Sequence, residues 1–173
     1  MPEMKLTRRG ALLGLAPFSV PRIARADAAL RQPRDRVILT VAGKIGIFND
    51  GAAARFDRAM LEELGTSQFT TVTPWYDGPV TFQGVRMRRL MEALGAQGDT
   101  LIARALNDYE TRIPLRDVID FDVLMAMKRN GEYMPVRDKG PLFLVYPFDS
   151  DPALRNQRYY GRCAWQLAQI DVV

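Results

Sequence analysis

Apolar and polar residues alternate along RVILTVAGKI (residues 36–45), and that period of two predicts a strand. AARFDRAMLEELG (53–65) changes period. Phe56, Met60, Leu61 and Leu64 share one helical face, Asn49 or Asp50 is placed to cap the helix, and Gly65 to stop it. QFTTVT (68–73) predicts a strand that enters a turn at Trp75, and VTFQGV (80–85) predicts its return. VRMRRLMEALG (85–95) has the spacing of a short amphipathic helix closed by Gly95. TLIARAL and YETRIP are expected as strands on either side of Asn107-Asp108. VLMAMKRNGEYMPV carries an Asn-Gly pair between alternating runs, a strong hairpin signal. PLFLVYP is apolar enough for a buried strand, and AWQLAQIDVV predicts a last one. The pattern is α+β, a single domain rich in strands with a few short helices, and it holds no repeat and no heptad seam.

Before the first strand the pattern is of another kind. Lys5, Arg8 and Arg9 precede the apolar run GALLGLAPFSV, which is too short to span a membrane, and small residues follow at Ala24, Ala26 and Ala28. Residues 1–26 are expected to be a cleaved bacterial export signal, by the general or the twin-arginine route, and 27–35 a short linker ahead of a domain over 36–173. The protein is thus expected in the periplasm. The leader also changes the charge. Of the 24 basic and 20 acidic side chains, it holds Lys5, Arg8, Arg9, Arg22 and Arg25 against Glu3, which leaves 19 of each sign. A balanced domain lacks the basic excess that neutralises phosphates, so nucleic acid is not expected as a partner.

The residue inventory narrows the chemistry. The chain has no histidine, so the commonest general base and the commonest metal ligand are missing. Its one cysteine, Cys163, has no second thiol with which to form a disulfide or a zinc cluster. Beside Ala164 and Trp165 it reads as a small buried residue.

Three loops collect residues that could hold a ligand. In PWYDGP, Trp75 and Tyr76 offer faces on which a planar heterocycle can stack, for about 0.5–1.5 kcal/mol beyond area burial; they serve equally as a plug over the core edge. In Asn107-Asp108-Tyr109, a carboxylate at a strand end can accept paired hydrogen bonds from an amino-NH edge, and Asn-Asp is also an ordinary turn pair. In Arg137-Asp138-Lys139-Gly140-Pro141, two cations and a carboxylate suit a polar or anionic ligand tail, or simply a solvated turn. DPALRNQRYYGR, with Arg155, Arg158 and Tyr160, could border the same cavity or connect elements at the surface.

The order TVAGKI, FDRAMLEEL, FTTVTPW, DGPVTFQGV, ALNDY, NGEYMPVRDKGPLFLVYPF and a final WQL strand resembles the sulfite-oxidase-type molybdopterin-binding domain, from about Val37 to Val173. The resemblance implies a mixed α+β fold with a pterin cofactor held among loops at one side of the sheet. Enzymes of that family bind molybdenum through a cysteine in the loop that follows the strand written here QFTTVT, and no cysteine stands between Phe69 and Gly84. They also use arginine and histidine near the cofactor phosphate, where this chain has Phe143 and no histidine. What remains resembles a smaller branch, the periplasmic pterin response proteins, which bind a reduced, unconjugated pterin of the monapterin or neopterin kind without metal. That branch implies a non-enzymatic sensor. Its partner would be the periplasmic domain of a membrane-bound GGDEF/EAL-type enzyme of cyclic-di-GMP. By the same resemblance Trp75 stacks on the pterin, Asp108 or Asp138 accepts from its 2-amino and N3 edge, and Tyr76, Asn107, Tyr109, Arg137 and Lys139 complete the rim. A molybdenum-cofactor oxidoreductase with atypical metal ligation is the alternative.

Overall fold

A computed structural model describes residues 30–173. The expected export signal and the first residues of the expected linker lie outside that range.

Among the described residues ten strands form two sheets. The first has the order β2 (Ala53–Phe56), β1 (Leu39–Gly43), β10 (Leu167–Val172), β5 (Thr100–Ala105), β6 (Glu110–Pro114). Its β1 and β10 run parallel, and the other pairs antiparallel. The second has the order β3 (Ser67–Thr73), β4 (Tyr76–Arg86), β7 (Leu124–Arg129), β8 (Glu132–Tyr133), with β9 (Phe143–Val145) also paired to β7. One continuous core spans both sheets, with Leu39, Val41, Leu101 and Ile170 from the first and Phe82, Met125, Phe143 and Leu144 from the second. The α+β class and the mixed sheets expected from the pattern are what the chain adopts, with four short helices. Among the described residues no helix is long and apolar enough to cross a membrane.

The first helix is a correction. The helical pattern over 53–65 covers two elements. AARF is an edge strand, with Ala54 and Phe56 buried opposite Val41 and Leu39. The helix, α1, spans only Arg58–Glu63. Its cap is Asp57, whose carboxylate accepts from Met60 N at 2.8 Å, and neither Asn49 nor Asp50 caps it. Asn49 instead exchanges side-chain hydrogen bonds with the backbone of Arg55 and so fixes the turn before β2. Two residues of alternation cannot outweigh a four-position helical stripe in a sequence pattern, whereas the ladder to β1 satisfies backbone groups that a helix start would leave open. Gly65 ends α1 at φ +91, where a side chain would be strained.

Asp57 is wholly buried, and it also ties down the segment before β1. Arg34 N and Asp35 N donate to its carboxylate at 2.7 and 3.3 Å, and the Arg31 guanidinium lies 3.3 Å away. Burial opposes the charged form, but the hydrogen bonds from Met60, Arg34 and Arg31 outweigh it and bring the carboxyl down to about 2.

Helix α2 (Met87–Ala93) buries Met87, Leu90 and Met91, as its spacing requires. Two short helices were not expected. Helix α3 (Leu115–Asp120) follows Pro114 and buries Asp117 and Val118. Helix α4 (Gln157–Tyr160) is capped by Asn156, which accepts from Arg158 N. Both are too short to show a periodic stripe. Asp117 receives Tyr146 Oη at 2.7 Å and Arg162 at 2.6 Å, so α3 is joined to the segment that leads into β10.

Candidate functional site

The turn between β3 and β4 carries Pro74 and Trp75, and Thr73 pairs with Tyr76 across it. Trp75 is half-buried. Its ring meets Phe143, Phe148, Tyr160 and Trp165, with centroids 5.5–6.2 Å apart and planes inclined by 59–80°. These are edge-on contacts, the geometry aromatic quadrupoles favour. The indole is therefore fixed in an aromatic cluster and is no freely exposed platform. It forms a wall of a cavity of about 300 Å³ lined also by Asn107, Tyr109, Tyr160, Cys163 and Trp165. That volume lies at the lower end of the roughly 300–1,000 Å³ usual for small-molecule sites.

Three segments far apart in sequence meet at this cavity, and Gln166 joins them. Its backbone N donates to Lys139 O, its carbonyl accepts from Leu106 N, and its side-chain amide donates to Val136 O. Gln166, Lys139 and Asp108 all adopt positive φ, at 52, 63 and 63°. For Asp108 this is a common turn conformation. For Lys139 and Gln166 it is a strained one that the surrounding contacts hold in place, as happens at binding sites. Tyr109 Oη and Thr111 Oγ1 both donate to Gly161 O, at 2.7 and 2.8 Å, which fastens the β5–β6 hairpin to the segment carrying Cys163 and Trp165.

The expected site residues divide into three groups. Trp75, Asn107 and Tyr109 line the cavity. Tyr76, Asp138 and Lys139 form the next layer. Tyr76 Oη donates to Asp138 at 3.1 Å, Arg129 pairs with Asp138 at 2.8 Å, and Lys139 Nζ lies 4.5 Å from the Tyr76 ring and 5.1 Å from that of Trp165. Asp138 is thus committed to protein partners. The Tyr76 hydroxyl is pushed up to about 12, first by burial and then by the Asp138 carboxylate. Asp108 and Arg137 are exposed at their turns and line none of these cavity walls. Tyr160, Cys163 and Trp165 bring most of the remaining wall. Only Tyr160 was singled out as a border residue by its sequence; Trp165 opens the WQL motif, and Cys163 lies two residues before it.

Larger hollows lack this chemistry. A cavity of about 430 Å³ between Arg36, Arg58, Glu62, Met134 and Val136, and one of about 320 Å³ between α2 and α3, include no aromatic face.

Phe143 is fully buried between Trp75 and Phe82. Among the described residues, no side chain of this cavity stands ready as a thiolate ligand for molybdenum. The loop after β3 is Pro74-Trp75 and holds no cysteine. Cys163 does line the cavity, but its thiol donates to Tyr159 O at 3.4 Å, and burial raises it, favouring the protonated form over the thiolate a metal requires. Among the described residues no group of three or more His, Cys, Asp or Glu could hold a metal. The aromatic walls with Asn107 and Tyr109 do fit a flat, hydrogen-bonding ring. A family model described as "Oxidoreductase molybdopterin binding domain" matches residues 57–149, just over half of the chain. No curated protein matches the chain. The match spans α1 to the end of the β9 segment and takes in Trp75, Asn107, Tyr109 and Lys139, so the chain belongs to the family of oxidoreductase molybdopterin-binding domains, of sulfite-oxidase type.

Proposed function

We propose that this protein is an exported pterin sensor that binds a reduced, unconjugated pterin without molybdenum and signals through a protein partner. The observation that carries the reading is one cavity with aromatic walls from Trp75, Tyr160 and Trp165 in which the sole cysteine is kept as a buried thiol. A pterin ring there lies against the indoles, and Asn107 is the polar wall residue suited to its amide-like edge. Asp108, beside Asn107, could reach that edge only from the exposed turn, and Asp138 is already held by Arg129 and Tyr76. Asp108 is accordingly the better of the two carboxylates.

The partner in this reading is the periplasmic domain of a membrane-bound cyclic-di-GMP enzyme. Its support is the resemblance of the TPW, ALNDY and RDKGP segments to the periplasmic pterin response proteins. A molybdenum-dependent oxidoreductase is the second reading, favoured by the family's description and by the presence of Cys163 in the cavity wall.

One experiment separates the two readings. Small molecules released by denaturing the protein, purified from its native source, are identified by mass spectrometry while metals are measured in the same sample. A free pterin without molybdenum is expected. Molybdopterin with stoichiometric molybdenum would overturn the sensor.

A further inference from the structure

A second cleft, of about 270 Å³, lies on the other side of the Trp75 turn and is lined by Val72, Thr73, Pro74, Asp149, Arg155 and Tyr160. Tyr160 lines both this cleft and the aromatic cavity, so the two are neighbours across one side chain. Thr73 is only 5% exposed, and its Oγ1 is the one buried side-chain polar atom among the described residues with no hydrogen-bond partner. Leaving a buried hydroxyl unpaired is costly, and in a native chain such a group calls for an explanation. Thr71, two residues earlier and also buried, has its hydroxyl engaged by Asp149 N at 3.1 Å.

The charges of the cleft are already balanced. Asp149 accepts from Val72 N at 2.7 Å and from the Arg155 guanidinium at 2.5 Å, and Arg155 Nε donates to Phe148 O at 3.1 Å. A phosphate placed here would meet the Asp149 carboxylate with its neutralising arginine committed. A hydroxyl group carries no such cost. It can donate to a carboxylate and accept from a guanidinium or a threonine hydroxyl at once.

We propose that the Thr73–Asp149–Arg155 cleft is a specificity subsite for an uncharged, hydroxyl-bearing arm of the ligand whose ring occupies the Trp75–Trp165 cavity, and that it disfavours a phosphorylated arm. The inference rests on the pterin reading above and adds residues that set which pterin is held. A hydroxyl on that arm would give Thr73 Oγ1 the partner it lacks. Asp149 selects against added negative charge, because the arginine that would offset a phosphate is already bound to it.

The test is titration calorimetry on the chain without its leader, with three probes: 7,8-dihydroneopterin, which has a trihydroxypropyl arm, its 3′-phosphate, and 6-methyl-7,8-dihydropterin, which has no arm hydroxyl. Dihydroneopterin is expected to bind at least tenfold tighter than either of the others. Thr73→Val, which keeps the side chain's shape, should bring the ratio of dihydroneopterin to 6-methyl affinity towards one. Arg155→Gln, at a half-exposed side chain, should narrow the same ratio independently, with circular dichroism to show that the variant is folded. Equal binding of dihydroneopterin and the 6-methyl compound, or a ratio unchanged in both variants, overturns the subsite and leaves the pterin reading standing. Failure of all three probes to bind overturns the pterin reading and the subsite with it.

Discussion

Replacing Trp75 tests fold and site together, because the indole serves both. Its ring touches four others, from Phe143, Phe148, Tyr160 and Trp165. Truncation of a buried aromatic to alanine costs about 3–5 kcal/mol. Trp75 is only half-buried, so a cost below that range, about 2–3 kcal/mol, applies to Trp75→Ala. Against a net stability of about 5–15 kcal/mol the variant stays folded. At about 2–4 °C per kcal/mol for a domain of this size, its melting temperature should fall by roughly 4–12 °C. Pterin affinity should fall further than stability explains. With the indole wall gone, at least one aromatic contact to the ligand is lost, about 0.5–1.5 kcal/mol plus its buried area, hence about tenfold or more in Kd. Trp75→Phe keeps an aromatic wall and should recover most of the stability and part of the affinity. The assay is calorimetric titration at a temperature where circular dichroism shows each variant to be folded. An unchanged melting temperature would refute the packing argument. A lower melting temperature with unchanged affinity would remove Trp75 from the site.

Two further outcomes follow from buried titratable groups. Asp57→Ala removes a helix cap worth about 1 kcal/mol and leaves Arg34 N without its partner, a further cost of about 1–3 kcal/mol, so roughly 2–4 kcal/mol of stability should be lost in urea unfolding at pH 7. Because the folded-state carboxyl lies at about 2 against an ordinary 3.8, its contribution is complete above about pH 4 and fades as pH falls towards 2. The alanine variant should lack that part of the acid transition, and an identical pH profile would refute the assignment. Cys163 should react with iodoacetamide at pH 7.5 at least about a hundredfold more slowly in the folded protein than in urea, and more slowly again with pterin bound, since burial raises the thiol and the residue lines the cavity. Rapid labelling in the folded state would show the thiol to be open and ionisable.

Much of the fold was legible because most elements announce themselves locally. The Asn-Gly hairpin of β7 and β8, the short buried strand Phe143–Val145 within PLFLVYP and the stripe of α2 each follow from fewer than fifteen residues. The site was legible only in part, and for the converse reason. Trp75 and Asn107-Tyr109 stand in turns whose composition draws the eye, but the walls opposite them come from Tyr160, Cys163 and Trp165, which ordinary local reading assigns to a surface segment and a strand. Gln166 was beyond reach, since neither its left-handed backbone nor its contacts to Val136, Lys139 and Leu106 leave a trace in the residue type. At Asp138 the sequence conceals a partner. A carboxylate between two cations in sequence reads as ligand chemistry, but Arg129, distant in sequence, takes it in space.

The tryptophan in the β3–β4 turn is where these observations converge. A turn is a costly place for an indole unless something covers it, and here the cover is the C-terminal segment, joined to the β9 strand by the Phe143–Trp165 bridge and to α3 by Arg162 and Asp117. The cavity therefore exists only when the last segment has docked on the hairpin. A ligand held in the cavity that Trp75 and Trp165 line binds the docked state alone, and by mass action stabilises it by RT ln(1 + [L]/Kd), about 2.7 kcal/mol at a hundredfold excess over Kd. Occupancy is thereby linked to the docking of Tyr160, Arg162 and Trp165, and hydrogen exchange at those amides with and without ligand measures that link. Protection that rises at 159–166 and stays level in β5 would mark this segment as the element through which a bound pterin is sensed. Uniform protection across the domain would make the ligand a general stabiliser and remove the segment from any signalling role.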